Sequence, residues 1–410
     1  MKICVIGGGL TGLTAAFDLS KEHDVTLLEK NAFLGGCLAS YHVDNYTIEQ
    51  FYHHCFSGDE ALLRLFDLLK ISNRLEWLKG TTGYYVDSRI YPLNTPAEIL
   101  KYPHLTLSDK VRLALLTVRA RKMNIAALDE MPARDFILRT VGASGYASFF
   151  EPLLKSKFGE ARDEVSAAWL ISRIAIRSDR GLSGEHLGYL RGGFQVLIDR
   201  LAETLERQGC RIHTDTAATS VEKDAGGFRV NGEPYDAVLS TLPPQALSGS
   251  GVPALPSVPY QGAACMTLGL DADVAEGIYW VNMKDPAPYG AVIAHTNFAP
   301  FDRYGEHIVY LASYFTKEVP ANLSEQMLGD FCRRFKVKRE SIHWHRLAVD
   351  PYAGPVYRTG YRRLIPDFNQ QGLIMSGMFS IQNYPERSME GSVAAAHAAV
   401  ARLLEVYQNG

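Results

Sequence analysis

Apolar residues fall along this chain with more than one period, and each change of period marks a change of element. Residues 2–6, Lys-Ile-Cys-Val-Ile, are a short unbroken apolar run, as in a strand buried on both faces of a parallel sheet. Gly7, Gly8 and Gly9 break it. Leu13, Ala15, Ala16, Phe17 and Leu19 then follow at helical spacing, and Asp24 to Leu28 reads as the next strand, closed by Glu29. The unit is β-α-β. Residues 60–180 read mainly as helices: Ala61, Leu62, Leu65, Phe66 and Leu69 share one face, as do the apolar positions around Phe136, Ile137 and Val141. Gly192-Gly193 opens another helix, with Phe194, Leu197, Ile198, Leu201 and Leu205 on one side, and Gly209 stands where a helix end wants a left-handed residue.

Strands follow through Ile212, Ser220 to Glu222, Phe228 to Val230 and Asp236 to Leu242, the last stopped by Pro243-Pro244. From 260 to 350 the runs Cys265 to Leu270, Ile278 to Met283, Ala291 to Thr296 and His307 to Tyr314 predict antiparallel strands. Residues 373–377 return to the buried parallel-strand pattern, and an Ala-rich helix runs from Met389 to Tyr407. The fold class predicted is α/β. A nucleotide-binding domain is assembled discontinuously from 1–60, 190–245 and 360–410, with a helical part, 61–189, and an antiparallel-sheet part, 246–359, inserted as the substrate domain.

Composition narrows the class. An apolar share of 47% suits a globular core, and a net charge of −3 gives no reason to expect nucleic acid. None of the six cysteines forms a C-x-x-C pair, so neither a metal site nor a disulfide framework is expected, and reduced thiols fit a cytoplasmic protein. No signal peptide is expected, because Met1 leads almost directly into a strand. No apolar run approaches the roughly 20 residues of a membrane span. Residues 105–128 leave peripheral membrane contact open, since Leu113, Leu116 and Leu128 alternate with Lys110, Arg112, Arg119, Arg121 and Lys122. The preferred reading is a helix with one buried and one solvated face.

The first candidate site is Gly7-x-Gly9-x-x-Gly12, between a strand and a helix. Gly7 permits a tight turn, Gly9 lets backbone approach a pyrophosphate, and Gly12 lets helix and strand pack closely. The helix start at Leu10 and Thr11 offers free N–H groups to the anion. Glu29 can accept from a ribose diol and disfavours a 2′-phosphate, so NADP is not expected.

Glu29-Lys30 and the following Gly35-Gly36 resemble the E-x(5)-G-G extension of glutathione-reductase-like flavoproteins, which implies FAD. Many relatives carry an Arg after the Gly pair, where this chain has Cys37. At the far end Ser376-Gly377-Met378 follows a buried strand, and Ser388-Met389-Glu390-Gly391-Ser392-Val393 opens a helix. That run resembles the C-terminal flavin motif of the amine oxidase superfamily, a group that also contains protoporphyrinogen oxidases and phytoene-type desaturases. The resemblance implies a glutathione-reductase-type, Rossmann-like FAD domain holding FAD non-covalently, through contacts at Gly377, Met378, Met389, Gly391, Ser392 and Val393, with Val221 against the adenine. Middle segments resemble UDP-galactopyranose mutase: Phe51-Tyr52-His53-His54-Cys55-Phe56, Lys155-Ser156-Lys157-Phe158-Gly159 and Ser172-Arg173-Ile174-Ala175-Ile176-Arg177. Two positions depart: Ser388 replaces the cage aromatic of many amine oxidases, and Met378 replaces an Arg of the mutases.

For catalysis the candidates are His53, to orient flavin or move a proton, and Tyr384, to close the pocket. A structural, hydrogen-bonded role for His53 is the alternative. Arg173 and Arg177 fall on one helical face and could grip a phosphate or carboxylate, or simply be solvated. Trp280 shares a predicted strand face with Asn282; that face is pocket wall or core. His295 and Asn297, on one predicted strand face, are further substrate candidates. The function implied is an FAD-dependent oxidoreductase removing a hydride from an apolar or conjugated small molecule. The alternative is a non-redox flavin-dependent mutase or transferase acting on a phosphorylated or nucleotide sugar.

Overall fold

The computed structural model describes the chain apart from residues 178–184, 225, 253, 254, 317, 409 and 410. Its first sheet has six strands in the order Asn369–Gln370, Leu373–Met375, Ala237–Ser240, Lys2–Ile6, Asp24–Leu28, Arg211–His213. All pairings are parallel except that of the edge strand Asn369–Gln370. Ile3 to Ile6 are flanked on both sides, by Ala237 to Ser240 and by Val25 to Leu28. Such a central strand has two covered faces, which accounts for its unbroken apolar run. The helices Leu10–Leu19 and Met389–Gln408 pack on each other against this sheet, with Gln195–Arg207 beside them.

A second sheet has seven strands in the order Ile342–Pro355, Tyr260–Leu270, His307–Phe315, Ala291–Ala294, Trp280–Met283, Thr82–Val86, Arg89–Pro92. Its last two strands interrupt the region 60–180, which is otherwise mainly helical as expected. Leu75–Gly80 is also a strand and pairs with Glu185–Leu190. Thr82–Val86 and Arg89–Pro92 form a hairpin whose two turn residues, Asp87 and Ser88, both have positive φ (50° and 61°), the turn geometry that matches strand twist. The aromatic, β-branched runs around that turn are strand formers by composition.

Smaller shifts bear on the site. The strand at 280 begins at Trp280, not Ile278, and the next ends at Ala294. Residues His295–Asn297 form a 3-10 turn, so His295 and Asn297 share no strand face. The helix Leu107–Ala120 buries Leu116 and Ala120, but its outer face is not the polar one expected: Leu107, Val111, Leu115 and Val118 are all exposed. Among the described residues no helix is long and apolar enough to cross a membrane.

Candidate cofactor and active site

The glycine turn leaves the C-terminal end of the central strand. Gly7, at φ +106°, donates to Leu28 O at 2.8 Å. A Cβ on Gly12 would overlap the Gly7 carbonyl oxygen, so helix and turn touch backbone to backbone. Above Gly9 the opposite holds: a Cβ would meet only Gly36 Cα, at 4.0 Å. Gly9 caps the helix Leu10–Leu19 without a side chain, and the first N–H groups of a helix have no intrahelical acceptor. An open backbone surface lined with N–H donors at a positive helix end is what a pyrophosphate needs. The second glycine pair lies against the first, with Gly35 donating to Gly8 O at 2.8 Å and Gly36 at φ +55°. Glu29 is buried; Oε2 accepts from Gly8 N–H at 2.7 Å and Oε1 from Asn31 N–H and Nδ2 at 2.9 and 2.7 Å. Lys30 is exposed beside it. These residues fit a dinucleotide cofactor.

Val221 is placed differently from the expectation. It is fully buried, at the start of Val221–Asp224, and donates to Ser250 O. The backbone beside Glu29 and Asn31 is that of Asp215 and Thr216, which donate to Asn31 O and Glu29 O at 3.0 and 2.8 Å. Residues 214–218 thus border the Glu29 side of the glycine turn, before that strand begins.

At the far end one residue absent from the sequence reading organises the motif. Asn383 Nδ2 donates to Gly377 O at 3.2 Å, while its Oδ1 accepts from Ser388 N–H at 2.9 Å. A Cβ on Gly391 would collide with that same Oδ1. Ser388 Oγ accepts from Gly391 N–H and Ser388 O from Ser392 Oγ, both at 2.9 Å, so Ser388 serves the helix start. Met378 is half-buried, and Met389 and Val393 are buried, packing the helix Met389–Gln408 onto the core. Glu390 accepts from the N–H groups of Ala61 and Leu62, at 3.0 and 2.8 Å, and so caps the helix Glu60–Leu68.

Between these motifs lies a buried cationic and aromatic cluster. Tyr52 and Tyr314 share a hydrogen bond of 3.0 Å, and Lys157 Nζ donates to Tyr314 at 3.2 Å. The Lys157 ammonium lies 5.4 Å from the Trp280 ring centre, and Trp280 meets Tyr52 edge-on at 4.8 Å. The Arg387 guanidinium lies 5.8 Å from the Tyr314 ring centre and against Gly354. Cys37, next to the second glycine pair, donates to Asp350 at 3.3 Å and feels the Arg387 charge, which sets the cluster beside the dinucleotide turn. Among the described residues neither Lys157 nor Arg387 makes a direct salt bridge; both feel the charge of Glu386, whose direct partner is Arg173. Burial, reinforced by the neighbouring Arg173 and Arg387, pushes the Lys157 pKa down. Burial alone would raise the Tyr314 hydroxyl, but Lys157 and Arg387 outweigh it and bring it down.

His53 borders this cluster. Its Nδ1 lies 2.7 Å from Phe51 O, and burial, with Arg387 nearby, lowers its pKa to about 4. Arg173 is neutralised, pairing with Glu386 at 2.8 Å; the Arg177 side chain lies outside the described residues. Three other candidates are engaged elsewhere. Tyr384 donates to Asp129 at 2.7 Å. His295 is buried, with Nε2 2.8 Å from the Tyr304 hydroxyl. Asn297 donates to Asp273 and to Ile278 O, at 2.8 and 3.2 Å, holding a loop. Trp280 does line the cluster, and its Nε1 donates to Asn282 at 3.0 Å.

A mixed α/β protein with a glycine-cradled turn and a buried cationic and aromatic cluster beside it is the class this architecture defines. Residues 10–404 match the family described as flavin-containing amine oxidoreductase, and the chain belongs to it. FAD is accordingly its cofactor, and the glycine cradle has the shape to take it. Over 224 residues the chain is 25% identical to a coproporphyrinogen III oxidase of Mycobacterium tuberculosis, a match covering 48% of this chain and 49% of that one. The chain thus spans about half the length of such curated relatives. Among solved structures, an Exiguobacterium protein described as a candidate protoporphyrinogen oxidase superposes with a TM-score of 0.79 at 19% identity, over 100% of this chain and 99% of that one. A reduced UDP-galactopyranose mutase superposes with 0.76 at 17% identity, over 99% and 96%. At these identities the likeness is one of fold.

Proposed function

We propose that this protein is an FAD-dependent oxidoreductase that takes a hydride from a small molecule with an apolar or conjugated body and an acidic group. FAD supplies the hydride acceptor. The chain supplies the rest. Tyr52 and Trp280 offer ring surface to the body of the substrate, Lys157 and Arg387 meet its carboxylate or phosphate, and Tyr314 exchanges a proton. The observation that carries this reading is a pair of buried cations, Lys157 and Arg387, that border the glycine turn and share the influence of one carboxylate, Glu386, already bonded to Arg173. Charges taken out of water without a partner of their own are costly, so a site that keeps two of them suits a ligand that brings the opposite charge.

Losing one charged contact costs about 1.5–3 kcal/mol, or roughly 10- to 150-fold in affinity. Lys157→Met and Arg387→Met are each expected to raise KM for an acidic substrate by that factor with FAD content intact. Equal loss with neutral substrates would remove the anion-anchoring role. The same buried cations would also suit a phosphorylated sugar handled without net redox change. Counting electron acceptor consumed per turnover separates the two: the proposed reaction consumes one equivalent each time, the other none once the flavin is reduced.

A further inference from the structure

We propose that the outer face of the helix Leu107–Ala120 docks this protein on the surface of an anionic lipid bilayer. Leu107, Val111, Leu115 and Val118 are 72, 54, 50 and 75% exposed. At 3.6 residues per turn they fall within about 80° of one another around the helix axis, so they form one stripe. Leu100, 59% exposed at the end of the preceding helix Pro96–Lys101, adds to it. Scattered single apolar residues are ordinary on a surface, but a contiguous stripe of large ones marks an interaction site.

What covers the stripe follows from its borders. Lys110 and Arg121 flank it on one side and Arg112 and Arg119 on the other, with Lys101 and Lys122 near its ends. The one carboxylate within 100–122, Asp109, lies on the opposite face and is spent on the cap at Thr106. This segment is strongly basic in a chain of net charge −3. Apolar side chains between rows of Lys and Arg suit a helix lying in the headgroup plane, apolar face towards the acyl chains and cations at the phosphates. A second copy of the chain would instead set two basic borders against each other across a two-fold axis. The face is held rigid from below. A capping box closes its first turn, Leu116 and Ala120 are buried, and it packs on the helix Ala167–Arg177, whose Arg173 pairs with Glu386 beside the cationic cluster. Docking would therefore set the bilayer one helix away from that cluster. The inference stands apart from the reaction proposed above.

The test uses the FAD-loaded full chain, sedimented with vesicles of phosphatidylcholine alone or of equal parts phosphatidylcholine and phosphatidylglycerol. Binding to the anionic vesicles is expected, at least about tenfold stronger than to the neutral ones and released by high salt. Val111→Glu/Val118→Glu should lower it at least about tenfold with flavin content and Tm unchanged, both side chains being exposed. Should that variant lose its flavin, Arg119→Gln/Lys122→Gln decides, by weakening binding to the anionic vesicles alone. The proposal is overturned by absent binding to the anionic vesicles at low salt, by binding that survives these substitutions, or by a dimer in light scattering that the glutamates dissociate.

Discussion

The two ends of the cofactor site and the pocket between them are built on different principles. The glycine turn is made of backbone: Gly7, Gly9, Gly12, Gly35 and Gly36 act through the atoms they lack. The pocket is made of side chains from separate places: Tyr52 on an extended segment, Lys157 at the end of the helix Glu151–Phe158, Trp280 and Tyr314 on two strands, and Arg387 just before the last helix. A backbone site tolerates almost no substitution, because any Cβ fills the space that matters. A side-chain site degrades one contact at a time.

The sharpest way to break this comparison is at Gly12. Gly12→Val puts atoms where the Gly7 carbonyl oxygen lies, and total loss of bound flavin is expected, read from the visible spectrum of the purified protein. Stoichiometric FAD in that variant would mean the turn is not the cradle.

A smaller effect comes from pH. Folded, His53 stays neutral down to about pH 4 and His295, buried with Arg303 near, down to about 3. Unfolded, both take up a proton near the ordinary 6.5. Between those values the unfolded chain binds more protons, so their contribution to stability is full above about 6.5 and falls as the pH drops through the window. Each histidine adds a slope of about 1.4 kcal/mol per pH unit at most. Denaturant titrations between pH 7 and 4 should show that loss, and His295→Gln should flatten it. An unchanged slope in the variant would show that His295 is protonated when folded.

The smallest effect should be at Tyr384. Its hydroxyl bonds Asp129 and not the cluster, so Tyr384→Phe should cost about 1 kcal/mol of stability and leave kcat alone. A large fall in kcat would return Tyr384 to the active site.

The same contrast governs what could be read beforehand. The β-α-β unit was legible because its chemistry is local: a strand, a turn and a helix are contiguous, and each glycine has its own steric reason. Tyr52 and Lys157 lay inside segments whose pattern drew attention, and Arg387 directly before another, yet nothing local distinguishes Lys157 from Lys155, or Tyr52 from His53; only the packing of distant elements does. Tyr314 carried no signal, being one aromatic in a run of strand formers. Leu75–Gly80 was missed for a related reason, since its partner strand lies about a hundred residues further on, whereas the hairpin of Thr82–Val86 and Arg89–Pro92 is local and its strand-forming composition was passed over. Asn383 was invisible because its role is to bond two backbone groups whose proximity is a property of the fold.

The hydrogen bonds from Ala61 and Leu62 to Glu390 have a consequence for the order in which the protein is made. A helix whose cap is supplied more than three hundred residues later emerges from the ribosome with its leading N–H groups open. The same wait applies to the strand Leu373–Met375, which completes the sheet beside Ala237–Ser240. The glycine turn is translated long before the helix that opens at Met389, so cofactor capture is expected only once that later segment has emerged. Nascent chains arrested before residue 373 should accordingly emerge colourless.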